Sequence, residues 1–154
     1  MIRYAIIANL VAYSIVVSQP LAYLVFLARA QRALSAPAYI ELRQCINPVM
    51  SRRVPVIHLS TLATVLLLLV LSLRGGSWNV AGTAAIALLC LVIDAILMMR
   101  ENVPINGVVD RWSTTNYPED WEDYRSKWFG VFGYRQVVLL VGFFSLLVGA
   151  VFPS

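Results

Sequence analysis

The sequence predicts an all-α protein: an integral membrane, antiparallel four-helix bundle with an interfacial helix before its fourth span. Three observations predict it. The 154 residues are 60% apolar and 13% charged, whereas a soluble domain is about 45–50% apolar and about 25% charged. Mean hydropathy is +0.76. The apolar residues gather into runs near the ~20 residues that carry a helix across a bilayer core, and the basic residues cluster beside those runs. The length suits one membrane domain, taken as residues 1–154.

The first span is expected at about 5–28. Arg3, followed by an apolar run that closes in Ala-Arg-Ala, imitates a secretion signal. The run Ala5–Ala28 is longer than the ~7–15 apolar residues of such a signal, so it reads as a retained helix. It carries Asn9, Tyr13, Ser14, Ser18, Gln19 and Pro20, with Asn9 and Tyr13 on one face. Pro20 frees a backbone carbonyl. The segment is therefore either a locally repaired kink or one side of a polar pocket.

Residues 29–53 are expected as a loop and 54–73 as span two, with His58 near its start. The stretch Arg74-Gly-Gly-Ser-Trp78 is a tight turn, so spans two and three form an antiparallel hairpin. Span three is expected at 78–99, a second loop at 100–129 and span four at about 130–152. Span four reaches full length only by starting upstream, near Trp128, with Arg135 inside it. Small residues pack membrane helices closely. Gly142, Ser145 and Gly149 share a face of span four, and Ala81, Gly82 and Ala85 lie near the start of span three.

Charge sets the orientation. The first long loop holds Arg29, Arg32, Arg43, Arg52 and Arg53, and the second holds Arg100, Arg111, Arg125 and Lys127. The opposite side has only Arg3 and Arg74. Nine basic residues against two place both long loops in the cytoplasm and both termini outside the plasma (inner) membrane. The predominance of Arg over Lys, with the Ala and Leu content, hints at a bacterial source.

Several classes are excluded. Cys45 and Cys90 make no disulfide framework and no CxxC motif. No basic stripe with interleaved aromatics suggests nucleic acid. No phosphate-binding loop, nucleophile elbow or zinc-protease motif occurs. A single His, His58, rules out a bis-His haem site and gives little support to a metal site. Neither metal nor cofactor is expected.

Polar residues inside the spans carry the functional argument, because an ionisable group in lipid is costly. Asp94 lies in an apolar stretch, and Glu101, seven residues on, shares its helical face. Arg135 is the expected partner of Asp94. From Pro118 onward, acidic residues crowd a helix start. Trp121, Tyr124, Trp128, Phe132 and Arg135 then recur at spacings of three or four on one face. This is a single helix that runs along the interface and turns into span four, with an aromatic stripe that ends in a cation. An ordinary aromatic belt and a structural Asp–Arg pair are the bland alternatives.

The stretch Glu101-Asn-Val-Pro-Ile-Asn106, with the downstream Trp121 or Trp128 and Arg135, resembles the DUF1772 or anthrone oxygenase-like family. Its members are small four-span membrane proteins with an N-x-P-x-N stretch at the end of span three. The matching positions are Asn102, Pro104 and Asn106. Gln44 and Asn47 look like that family's Q-x-I-N stretch. The resemblance implies a cofactor-independent oxygenase acting on an apolar aromatic or quinone-like substrate. Asp94 or Glu101 would be the base. Arg135, Asn102 and Asn106 would donate to an enolate oxygen, and Trp121 and Trp128 would stack on the ring. Asn47 would join the binding residues. Many members carry a polar residue where this chain has Phe132, which puts the activity in question. The alternatives are a non-catalytic membrane subunit that binds a partner protein or a second copy, and a small transporter.

Overall fold

The computed structural model describes residues 2–153, without the side chains of residues 19–21 and 24; what the sequence suggested for Gln19 and Pro20 lies outside the described residues. Among the described residues six α-helices run in order: α1 (Ile2–Ala22), α2 (Ala28–Arg32), α3 (Ala36–Arg74), α4 (Trp78–Leu97), α5 (Val103–Val109) and α6 (Trp121–Val151). Single π-helical turns, Tyr23–Leu27 and Met98–Asn102, join α1 to α2 and α4 to α5. Among the described residues the only extended pairing is an isolated bridge between Ser113 and Asn116. The protein is all-helical. Among the described residues three stretches are long and apolar enough to cross a membrane: Ala36–Arg74, Trp78–Val109 and Trp121–Val151, with a shorter apolar helix over Ile2–Ser18.

Element boundaries depart from the sequence reading in one consistent way. Residues 36–53, expected as loop, are the first half of α3. This 39-residue helix is about 58 Å long at 1.5 Å per residue, nearly twice the ~30 Å hydrocarbon core. Ser35, in extended conformation, precedes it, and Pro37 lies in its first turn, where a missing N–H costs nothing. Pro48 and Pro55 sit inside it, each removing one rung of the hydrogen-bond ladder without ending the helix. The second expected loop, 100–129, shrinks to residues 110–120. Residues 121–129 are the first turns of a continuous α6, as expected of a single helix that leads from the aromatic stripe into span four.

The α3–α4 connection is the expected tight turn. Gly76 adopts φ 72°, a left-handed conformation that glycine takes without steric cost. The Ser77 N–H closes the turn on the Ser72 carbonyl at 3.0 Å.

The packing follows a repeat of alternating threes and fours. Buried positions are Ile6, Asn9, Tyr13 and Val17 in α1; His58, Thr61, Val65, Leu68 and Ser72 in α3; Val80, Ala84, Ala87, Leu91 and Asp94 in α4; and Trp128, Arg135, Leu139, Gly142, Leu146 and Gly149 in α6. Outside these stripes the helices expose Ile, Leu, Val and Phe side chains. α1 packs on α3 and α6, α3 on α4, and α4 on α6. The small residues of α6 serve close approach. A Cβ on Gly142 would lie 2.0 Å from the Tyr13 hydroxyl, and one on Gly149 would lie 2.1 Å from Thr83 Oγ1. Ser145 donates to the Thr83 carbonyl at 3.0 Å. On α4, Ala81 is buried, whereas Gly82 and Ala85 are exposed.

Two apolar cores result. One joins Val65, Leu68, Ala84, Ala87, Leu91, Leu139 and Leu146 with Tyr13 and Val17. The other gathers Tyr23, Tyr39, Ile105, Val109, Trp128 and Phe129. Along α3, along α4 to α5, and along α6, the residues between these cores are polar: His58, then Asp94 and Asn102, then Arg135 and Gln136.

Candidate functional site: a buried polar layer and its cavity

The polar layer is built on a chelated ion pair. Arg135 Nε donates to Asp94 Oδ1 at 2.8 Å, and Nη2 donates to Oδ2 at 3.3 Å. Nη1 donates to Asn102 Oδ1 at 3.0 Å, and Asn102 Nδ2 donates to the Trp128 carbonyl at 3.1 Å. Asp94 is 1% exposed and Asn102 2%. A buried pair outweighs its desolvation only when both groups are well hydrogen-bonded, and here both carboxylate oxygens are occupied.

His58 completes the layer. Its Nε2 lies 3.0 Å from the Leu91 carbonyl. A carbonyl only accepts, so Nε2 carries the proton. Nδ1 faces Asp94 Oδ2 at 3.7 Å, beyond hydrogen-bond range.

A cavity of about 260 Å³ opens onto this layer. His58, Asp94, Arg135, Gln136 and Leu139 form its buried floor. Ile15 and Ser18 of α1 and Ile57 of α3, all exposed, form its rim. The cavity therefore opens sideways, between α1 and α3, at a surface that is otherwise apolar. Gln136 is 1% exposed, and its Oε1 has no hydrogen-bond partner.

The Asn-Val-Pro-Ile-Asn stretch owes its shape to Pro104. Without an N–H, Pro104 cannot bond the Arg100 carbonyl. The ladder resets through a wide turn in which the Val103 N–H reaches back to the Met98 carbonyl. Asn102 on one side of the proline holds Arg135. Asn106 on the other accepts a hydrogen bond from Arg43 Nη2. Each asparagine of the motif thus holds one buried arginine.

That second arginine organises the lower end. Arg43 lies 4.2 Å over the Trp128 ring, a cation–π contact. Burial pushes its guanidinium below the ordinary value, a shift opposed by Tyr39, Tyr23 and Asp110. Asn47 Nδ2 donates to Asp110 Oδ1 at 2.6 Å. Gln44 Nε2 donates to the Trp112 carbonyl at 2.8 Å and reaches the Val109 and Asp110 carbonyls at 3.3 and 3.4 Å. Gln44 thereby caps carbonyls at and just beyond the end of α5, among which that of Val109 also accepts from the Trp112 N–H at 3.1 Å.

The residues singled out by sequence thus divide into groups. Asp94 and Arg135 meet at the cavity floor, with Asn102 behind them. Asn47 and Asn106 belong to the lower cluster around Arg43. Glu101 pairs with Lys127 at 3.2 Å, both partly exposed, and does not line the cavity. Trp128 is buried against Arg43 and stacks on Phe132 at 4.9 Å, while Trp121 is half-buried under Arg125 at 4.3 Å. Neither tryptophan lines the cavity; Phe132 does. Sequence reasoning missed Gln136, although it directly follows Arg135, and took Arg43 as a topology charge. Tyr39, Arg43 and Asn47 are four residues apart, which would have marked one helical face had residues 36–53 been read as helix. Among the described residues no group of three His, Cys, Asp or Glu side chains could hold a metal ion.

No family model, curated protein or solved structure matches this chain.

Proposed function

We propose that the chain is a four-span integral membrane protein whose cavity takes an apolar aromatic or quinone-like molecule from the bilayer and acts on it as an oxygenase of the anthrone oxygenase-like kind. One observation carries this reading: a cavity with a charged, hydrogen-bonded floor opens sideways through an apolar wall. Such a site suits a molecule with an apolar body and an oxygen-bearing head. On this reading α1, α3, α4 and α6 form an antiparallel bundle. The excess of basic residues puts residues 29–53 and 100–129 on the cytoplasmic side and both termini outside. The lower cluster around Arg43 then lies at the cytoplasmic end.

The reaction is a C–H oxidation. A C–H conjugated with a carbonyl through the aromatic rings loses its proton to a base, and the carbanion reacts with dioxygen. Overall, a CH₂ group and O₂ become a carbonyl and water. Asp94 is a poor candidate for the base, since Arg135 occupies both of its oxygens. His58 is better placed. Its Nδ1 has a free lone pair when Nε2 is protonated, and the Asp94 carboxylate stands beside it to stabilise an imidazolium. Arg135 supplies positive charge near the developing enolate. Phe132 gives the ring an apolar wall.

The test uses the chain in proteoliposomes with anthrone, following dioxygen uptake and the anthraquinone chromophore against empty liposomes. Acceleration in the intact chain, lost in His58→Ala and kept in Glu101→Gln, supports the reading. A rate equal to that of empty liposomes removes the enzyme claim. The reading as a partner-binding subunit anticipates Trp121 and Trp128 facing lipid or another chain, and the burial of Trp128 does not favour it.

A further inference from the structure

Resting on the placement of the chain across a bilayer, and independent of the oxygenase reading, we infer that the outer face of α3 holds one phospholipid with an anionic headgroup at Arg52 and Arg53. These two exposed arginines lie side by side. With Pro48 and Val49, also exposed, they line a groove of about 260 Å³. Among the described residues neither arginine makes an ion pair. Glu41 is the nearest acidic residue on α3, about 16 Å back from Arg52 along the helix. The groove therefore concentrates positive charge that the protein itself leaves uncompensated.

The chemistry of the two side chains selects the headgroup. A guanidinium presents a planar fork of donors that matches a phosphate, and it stays charged at any working pH. Lining one groove, the two forks can reach one phosphate. A zwitterionic headgroup brings its own ammonium, which the arginines repel. A phosphatidylglycerol headgroup brings none, so the pair favours it. The helix face beyond the groove offers a place for the acyl chains. Val49, Arg52, Val56, Leu59, Ala63 and Leu66 recur at alternating threes and fours, and all are exposed. They form the side of α3 opposite the buried Thr61, Val65 and Leu68. From Val56 to Leu66 the stripe rises about 15 Å, one half of the ~30 Å hydrocarbon core. A cationic groove at the head of an apolar track one leaflet long has the dimensions of a phospholipid. A free phosphate would use the arginines and leave the track bare. Ile57, at the rim of the cavity, lies one turn past Arg53, so the bound lipid stands beside the cavity mouth.

Native mass spectrometry of the full chain in neutral detergent tests the site, with phosphatidylglycerol and phosphatidylcholine of the same acyl chains. Phosphatidylglycerol is expected to be retained at a concentration about tenfold or more lower, in line with two basic residues beside one anionic lipid. Arg52→Gln with Arg53→Gln should abolish that preference. Arg100→Gln with Arg111→Gln removes the same charge from exposed arginines outside the groove and should keep it. Inorganic phosphate at the concentration of the lipid should not displace it. Three outcomes overturn the inference and leave the membrane placement standing: equal retention of the two lipids by the parent chain, a preference kept in the first double variant or lost equally in both, and displacement by equimolar inorganic phosphate. Release of the chain from membranes by carbonate overturns both.

Discussion

Arg135 holds Asp94 through two donors, Nε at 2.8 Å and Nη2 at 3.3 Å, joining helices 41 residues apart in sequence. Because both groups are buried, each depends on the other. Asp94→Ala should destabilise the protein by about 3–5 kcal/mol, the cost of stranding a buried charge. Asp94→Leu combined with Arg135→Met should recover most of that loss, since an apolar pair strands nothing. Thermal unfolding in detergent checks this; a double variant as unstable as Asp94→Ala would contradict it.

Gly142 makes room for Tyr13. A Cβ there would stand 2.0 Å from the tyrosine hydroxyl and 3.0 Å from Cys90 Cβ, so the ring has little room to retreat. Gly142→Ala should cost about 1–3 kcal/mol through overpacking. Adding Tyr13→Phe should return part of it, because the nearest clashing atom is gone. The comparison of the two melting curves decides the point.

Asn106 and Glu101 lie five residues apart and should behave very differently. Asn106→Leu removes the acceptor from buried Arg43 and should cost about 1.5–3 kcal/mol, the range for a hydrogen bond to a charged group. Glu101→Gln breaks only a partly exposed pair with Lys127, worth about 0–1 kcal/mol. Denaturant titration of both variants separates them, and equal losses would show that the motif's asparagine is not structural.

Tyr39 gives an alkaline signature. Burial raises its pKa above the ordinary 10.0, with Arg43 and Arg125 pulling the other way. The folded state then keeps a proton that the unfolded state releases. Stability from this group is complete below about pH 10 and declines as the pH rises through the folded value. Tyr39→Phe should lessen the fall in melting temperature above about pH 10. An identical pH slope in the variant would exclude Tyr39 as a contributor.

The helical class, the long apolar stretches and the tight turn at Gly75-Gly76 were legible in the sequence, because apolar runs and glycine pairs are local signals. So was the Asp94–Arg135 pairing, since two opposite charges in apolar helices have few other ways to be satisfied. The extent of α3 was not. Hydropathy drops before Val54 and two prolines interrupt the pattern, so the run reads as ending, although the helix continues with a polar outer face. Reading residues 36–53 as loop hid Arg43 and the cluster it forms with Asn106 and, through Asp110, with Asn47. Gln136 escaped because an unmet hydrogen bond is a property of the packed interior and leaves no trace in spacing. Glu101 shares a helical phase with Asp94 in an ideal helix, but the wide turn at Met98–Asn102 shifts that phase before Glu101 is reached.

The continuity of α3 has a consequence for how the chain tolerates changes in length. Tyr39, Arg43 and Asn47 at one end and His58, Thr61, Val65 and Leu68 at the other are buried along a single rod. Inserting one residue between Asn47 and His58 would turn the two ends about 100° against each other. Either the arginine would leave Trp128 or the histidine would leave the cavity floor. The segment behaves like a keyed shaft: additions of about seven residues, near two full turns, restore the phase, and smaller ones do not. Beyond Trp112, which Gln44 holds, the connection at residues 113–120 carries no such key, and length variation in this architecture should collect there.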